Sequence, residues 1–220
     1  MPLSRHILFF TVAACLLLSL PIMAKFNITE HLLQQVESQY NKFARKRLEG
    51  WRDLIENTDN HALTEREKLE LVNTFFNSNV LFINDIDLWQ KNDYWATPLE
   101  MLSVGAGDCE DYSIAKYFTL RELGVDEDKL RITYVKAIEI DQAHMVLTYF
   151  ETKRSVPLVL DNLITDIKPA SQRGDLIPVY SFNGGGLWLA KSRGEGQRVG
   201  EASKLSHWND LERRMQSQAQ

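Results

Sequence analysis

The apolar residues of this chain change period once, and that change limits the fold more than any other feature. Up to Gly124 they recur every three or four positions; beyond Asp126 they run in short stretches rich in Val, Ile, Tyr and Thr. Helices first and strands afterwards predict an α+β domain. From Asn27 to Trp51 the spacing of Ile28, Leu32, Val36, Tyr40, Phe43 and Leu48 predicts one long amphipathic helix, capped by Thr29 and ending near Gly50. Thr64-Glu65-Arg66-Glu67 has the capping-box pattern of a second helix start, continued by Leu69, Val72, Phe75 and Phe76. Residues 79–104 are aromatic and irregular and read as loops and short turns. Gly105-Ala106-Gly107-Asp108-Cys109 then bends into a third helix that Gly124 ends. Strands are predicted over Leu130 to Ile140, Ala143 to Phe150, Leu158 to Leu160 and Ile177 to Phe182, with a turn at Asn183-Gly184-Gly185-Gly186.

At 220 residues, 44% hydrophobic and 25% charged, the chain has the composition of one folded domain. Its net charge of −5 argues against nucleic acid as a partner. Arg5 and His6 precede the apolar run Ile7 to Leu20, followed by Pro21 and the small Ala24. This reads as a secretory signal peptide cleaved after Ala24. An uncleaved anchor is the alternative, because Ile22 is bulky for a cleavage site, and Val12-Ala13-Ala14-Cys15 superficially matches a lipoprotein box. The expected organisation is a signal peptide over 1–24, a domain over 25–205 and a C-terminal helix or tail over 206–220.

Of the two cysteines, Cys15 lies in the signal segment, so Cys109 is alone in the exported chain and no internal disulfide forms. A lone thiol in an oxidising compartment is a liability unless it is buried or used. Cys109 is placed in a first helical turn, where the positive end of the helix dipole favours a thiolate, and its amide is suited to hold an oxyanion. Without side chains, Gly105 and Gly107 leave room for a substrate backbone. A buried structural cysteine beside a glycine turn is the competing reading. For the base, His31 and His207 fall in surface helices and His61 in a polar linker, whereas His144 interrupts the apolar strand Ala143-His144-Met145-Val146-Leu147, where an imidazole needs a partner. If the connection after Phe150 turns between Thr152 and Lys153, antiparallel pairing sets His144 opposite Asp161. Nucleophile, base and orienter are then Cys109, His144 and Asp161.

Asp108, Glu110 and Asp111 flank the thiol and should raise its pKa. A Ca²⁺ ion on these oxygens would offset them; helix N-terminal acids bonding first-turn amides are the alternative. Asp85, Asp87 and Asp93 are unranked candidates for further ligands. An indole or phenol from Tyr94 or Trp95 is a candidate to complete the oxyanion hole.

Gly107-Asp108-Cys109-Glu110-Asp111-Tyr112, Ala143-His144-Met145-Val146-Leu147 and Leu160-Asp161-Asn162 together resemble the bacterial transglutaminase-like cysteine proteinases, close to the LapG-type periplasmic proteases. Asp93-Tyr94-Trp95-Ala96-Thr97-Pro98 and Tyr180-Ser181-Phe182-Asn183 extend the resemblance over most of residues 27–190. It implies a papain/transglutaminase-like fold, with N-terminal helices and a Cys-bearing helix packed on an antiparallel sheet. It implies catalytic Cys109, His144 and Asp161, and a calcium requirement met at Asp108 and Glu110. Further implications are a periplasmic location, cleavage of a large repeat-containing surface adhesin near its N-terminus at an Ala-Ala type site to disperse biofilm, and restraint by the periplasmic domain of an inner-membrane cyclic di-GMP receptor. A transglutaminase or deamidase on the same triad, and a non-catalytic exported calcium-binding module, are the rival readings.

Overall fold

The structure, a computed structural model, describes residues 26–58, 62–190 and 196–218. The segment read as a signal peptide and His61 lie outside the described residues. Among those residues no helix is long and apolar enough to cross a membrane.

The single helix expected over 27–51 is two: α1 (Glu30–Gln39) and α2 (Lys42–Asn57). Asn41 causes the break. Its side-chain oxygen accepts from the Phe43 and Ala44 amides, 2.9 and 3.0 Å away, and so starts a new helix inside an unbroken apolar period. Gly50 is interior to α2 rather than its end. The capping box at Thr64 starts α3 (Glu65–Asn79) as the sequence indicates. Across 79–104 the elements are short: β1 (Leu81–Phe82), α4 (Asp85–Leu88) and α5 (Pro98–Val104), followed by β2 (Ala106–Gly107).

Beyond β2 runs α6 (Cys109–Glu122), buried on almost every face from Asp111 to Leu120. It lies between α3 on one side and the sheet on the other. That sheet comprises β3 (Leu130–Ala137), β4 (Gln142–Tyr149), β5 (Leu158–Leu160), β6 (Lys168–Pro169), β7 (Leu176–Asn183), β8 (Gly186–Leu189) and β9 (Gln197–Gly200). Its order is β6-β5-β4-β3-β7-β8-β9, with every neighbouring pair antiparallel. The first strand is shorter than expected, since the chain turns at 138–141, where Asp141 takes a left-handed conformation, φ 49°.

A last helix, α7 (Ser206–Gln218), closes the core. Its Trp208 is 1% exposed and stacks on Phe118, with ring centres 5.6 Å apart, while meeting Tyr117 and Phe182 edge-on. Trp208→Ala would leave a large hole between α6 and β7, a loss of roughly 3–5 kcal/mol. Urea unfolding measures it; a loss under about 1 kcal/mol would mean that α7 does not hold the core together.

Candidate active site

Cys109 is the first residue of α6, and Asp108 is its N-cap. The approach is fixed by β2, which pairs in parallel with β1, Phe82 opposite Gly107. The two glycines serve the fold rather than an opening for substrate, contrary to the expectation above. Gly105 has φ +81°, and a Cβ there would strike the Arg47 guanidinium, which bonds the Leu102 and Ser103 carbonyls at the end of α5. A Cβ on Gly107 would lie 2.7 Å from Asp111 Oδ2.

Asp111 braces the loop. Its Oδ1 accepts from the Ala96 amide at 2.7 Å and its Oδ2 from the Asp108 amide at 3.3 Å, joining the 93–98 segment to the start of α6. The backbone of Met145, the residue after His144, favours the Cys109 thiolate against burial, and the thiol donates to Glu110 Oε2 at 3.0 Å. α6 therefore sets its sulfur against β4 at the histidine.

His144 is 3% exposed, and its Nε2 lies 2.8 Å from Asp161 Oδ1, which leaves Nδ1 as the ring atom available to a thiol. The pairing differs in detail from the expected register. Leu147 pairs with Leu160 and Tyr149 with Leu158, so the turn centres between Lys153 and Arg154, two residues' worth of register from a Thr152/Lys153 centre. Extending the ladder one step puts Asp161 across from Val146 and diagonal to His144. A slip of two keeps both side chains on one face, where a diagonal pair is within reach.

Asp161 is buried to 1% exposure. Burial alone would raise its pKa, but His144, Arg173 and the Leu163 amide outweigh that and hold it down at about 2. Asn162 and Leu163 amides share Oδ1 at 2.7 and 3.1 Å, and Arg173 Nη2 bonds Oδ2 at 2.7 Å. Arg173 had no signal in the sequence, since nothing local marks a residue that reaches the site from a separate turn.

Five of the seven acids between residues 85 and 111 draw together near the thiol: Asp85, Asp93, Asp108, Glu110 and Asp111. Asp85 and Asp108 group with Asp111, and Asp85 and Asp93 with Glu110, their ligand atoms within 4.8 Å of one another. That spacing suits oxygens around one hard cation with bonds of about 2.3–2.6 Å. Asp85 Oδ1 and Asp108 Oδ1 are buried without a hydrogen-bond partner, so each has a lone pair to give. Their mutual repulsion and burial are evident: Asp85 is pushed up to about 6 and Asp108, chiefly by burial and then by Glu110, Asp111 and Asp85, to about 10. Burial, then Glu110 and Asp108, likewise push the Cys109 thiol well up. Of the unranked candidates the geometry selects Asp85 and Asp93; Asp87 joins none of these groups.

The Tyr94 hydroxyl is committed to Glu100 at 3.2 Å, whereas the Trp95 indole N–H is buried without a partner. Of the two oxyanion-hole candidates, only Trp95 keeps an unused donor. His31 is exposed, and the half-exposed His207 lies 3.6 Å from Asp93, outside the His144–Asp161 pair.

Residues 33–176 match the family described as bacterial transglutaminase-like cysteine proteinase BTLCP. Among solved structures the chain is similar to Legionella pneumophila LapG in an EGTA-treated form, at 42% identity and a TM-score of 0.73 over 84% of this chain and 96% of that one. It is similar also to Legionella pneumophila LapG in a calcium-bound form, at 43% identity and a TM-score of 0.71 over 84% of this chain and 98% of that one. No curated protein matches the chain. With a cysteine as the first residue of a buried helix, an antiparallel sheet packed upon it and relatives of this likeness, the chain belongs to the bacterial transglutaminase-like cysteine proteinases of the LapG type and is a cysteine protease.

Proposed function

We propose that this chain is a periplasmic, calcium-dependent endopeptidase that cuts the N-terminal region of a large surface adhesin at an Ala-Ala type site, releasing it and dispersing biofilm. The observation that carries the reading is the buried His144–Asp161 pair at 2.8 Å on β4, the strand against which α6 packs with Cys109 at its first position. Residues 25–205 are the protease domain, residues 206–220 its C-terminal helix or tail, and residues 1–24 the export signal. Its restraining partner is the periplasmic domain of an inner-membrane cyclic di-GMP receptor.

In the proposed chemistry Cys109 attacks the peptide carbonyl as a thiolate, with the Cys109 amide and Trp95 indole N–H facing the oxyanion. His144 gives its proton to the leaving amine, and the C–N bond breaks to leave a thioester. His144 then takes a proton from water, whose oxygen displaces the sulfur and frees the new carboxyl terminus. Asp161 holds the ring through Nε2, which leaves Nδ1 for the exchange of protons with the sulfur and the leaving amine. Asp108, Glu110 and Asp111, with Asp85 and Asp93 beside them, would hold a calcium ion such as one LapG relative binds, and its positive charge would relieve the repulsion that holds the thiol protonated.

The test is incubation of the mature protein with an adhesin N-terminal fragment, followed by mass spectrometry. One backbone cut, lost on EGTA treatment and regained with added calcium, is expected. Covalent crosslinks, or a gain of about one dalton on an uncut chain, would identify a transferase or deamidase instead. Cleavage that survives thorough chelation would refute the calcium requirement. Chelation is also expected to lower the melting temperature by several degrees, because an ion that binds only the folded loop stabilises it by mass action.

A further inference from the structure

Asp161 is a buried carboxylate whose surroundings exceed what a simple orienting residue needs. Its backbone carbonyl accepts from Asn77 Nδ2 of α3 at 2.8 Å and from Lys116 Nζ of α6 at 3.1 Å. Its Oδ1 faces His144 of β4, and its Oδ2 faces Arg173. Arg173 is 2% exposed and is itself clamped: Nε reaches Asp175 Oδ1 at 3.0 Å and Nη2 reaches Asp175 Oδ2 at 2.7 Å. Its backbone is fixed in a tight turn, its amide bonded to the Ala170 carbonyl and its carbonyl to the Leu176 amide.

We propose that Arg173 is a positioning residue of the proteolytic site, which through paired contacts with Asp175 and Asp161 fixes the carboxylate that orients the His144 ring. The inference rests on the Cys109–His144–Asp161 reading above. Its logic lies in the cycle of charge. His144 is cationic before acylation and neutral once its proton has passed to the leaving amine, so for part of each turnover it offers Asp161 no positive charge. A buried carboxylate left alone takes up a proton or swings toward another donor, and either event releases the ring. The guanidinium is charged at every stage and, with two nitrogens engaged in a fixed fork, cannot follow the proton. Lys116 does not replace it, because that amine bonds the Asp161 backbone carbonyl and not the carboxylate, and burial lowers its pKa to about 7.

The experiment compares Arg173→Met, Arg173→Lys and Asp175→Asn with Asp161→Asn in the full mature chain with calcium, measuring kcat, KM, melting temperature and the rate of Cys109 alkylation by iodoacetamide. Expected are a fall in kcat of roughly 10²-fold for Arg173→Met and about 10-fold for Arg173→Lys. Asp175→Asn, which frees the guanidinium without touching Asp161, should cost about threefold. KM should stay within twofold, and alkylation should slow in the same order as kcat. If Arg173→Met does not fold, the other two variants decide by the same criteria. Folded variants with a lowered melting temperature but wild-type kcat and alkylation would make Arg173 merely structural and overturn the proposal. A fully active Asp161→Asn would instead sink the triad reading on which it rests.

Discussion

His144→Ala is expected to lower kcat/KM for adhesin-fragment cleavage by at least about 10³-fold, with the fold intact. The size follows from what the ring does: it is the group placed to accept the thiol proton and to protonate the leaving amine, and removing a triad member leaves only binding and oxyanion stabilisation. Asp161 keeps Arg173 and two backbone amides as partners, so the deletion does not strand a lone buried anion. Circular dichroism should therefore be unchanged and the melting temperature lowered only modestly. A variant retaining more than a tenth of wild-type activity would remove His144 from the mechanism.

Asp161→Asn carries the second large effect, and it acts on both rate and stability. An amide can present its NH₂ to the ring nitrogen and favour the wrong tautomer, a change that costs roughly 10³–10⁴-fold in kcat in comparable triads. The stability term depends on pH. With its folded pKa depressed to about 2, Asp161 stabilises the protein above its unfolded value near 4, and that contribution is lost as pH falls through 2. It amounts to roughly 2 kcal/mol at neutral pH. Replacing it also leaves the Arg173 guanidinium, 2% exposed, with Asp175 as its remaining carboxylate. Denaturant unfolding from pH 2 to 7 should show a wild-type loss between about 4 and 2 that is smaller in Asp161→Asn. Parallel stability curves for the two proteins would mean that Asp161 is not ionised in the folded state.

What could be read from the sequence divides along a physical line. Local signals were sufficient wherever the chain's own neighbours decide the outcome. Cys109 starts a helix because a glycine-rich bend precedes a long apolar run, and α3 starts at Thr64 because its capping box closes within four residues. His144 and Asp161 were paired correctly although the register was two residues off, because sheet faces alternate with period two and an even slip preserves them. Asn41 shows the opposite case: the apolar period continues across it, but its side chain caps a new helix, so periodicity alone merged α1 and α2. β8 and β9 were missed because they are four residues each, the latter mostly polar and exposed. Arg173, Asn77 and Lys116 converge on Asp161 from separate elements, and Asp85 and Asp93 meet Glu110 across a loop. Contacts of that kind are set by how elements pack, and no spacing along the chain encodes them.

The central claim is that the Cys109 sulfur is activated by the His144 ring, and the rate of its alkylation tests this without any substrate. Calcium-loaded wild-type protein and the His144→Ala variant, which share every other feature of the loop, are treated with iodoacetamide near neutral pH, and the labelled peptide is identified by mass. A wild-type rate at least about tenfold above that of the variant is the predicted result. Equal rates would contradict the account, for the thiol would then owe its reactivity to its helix and loop alone.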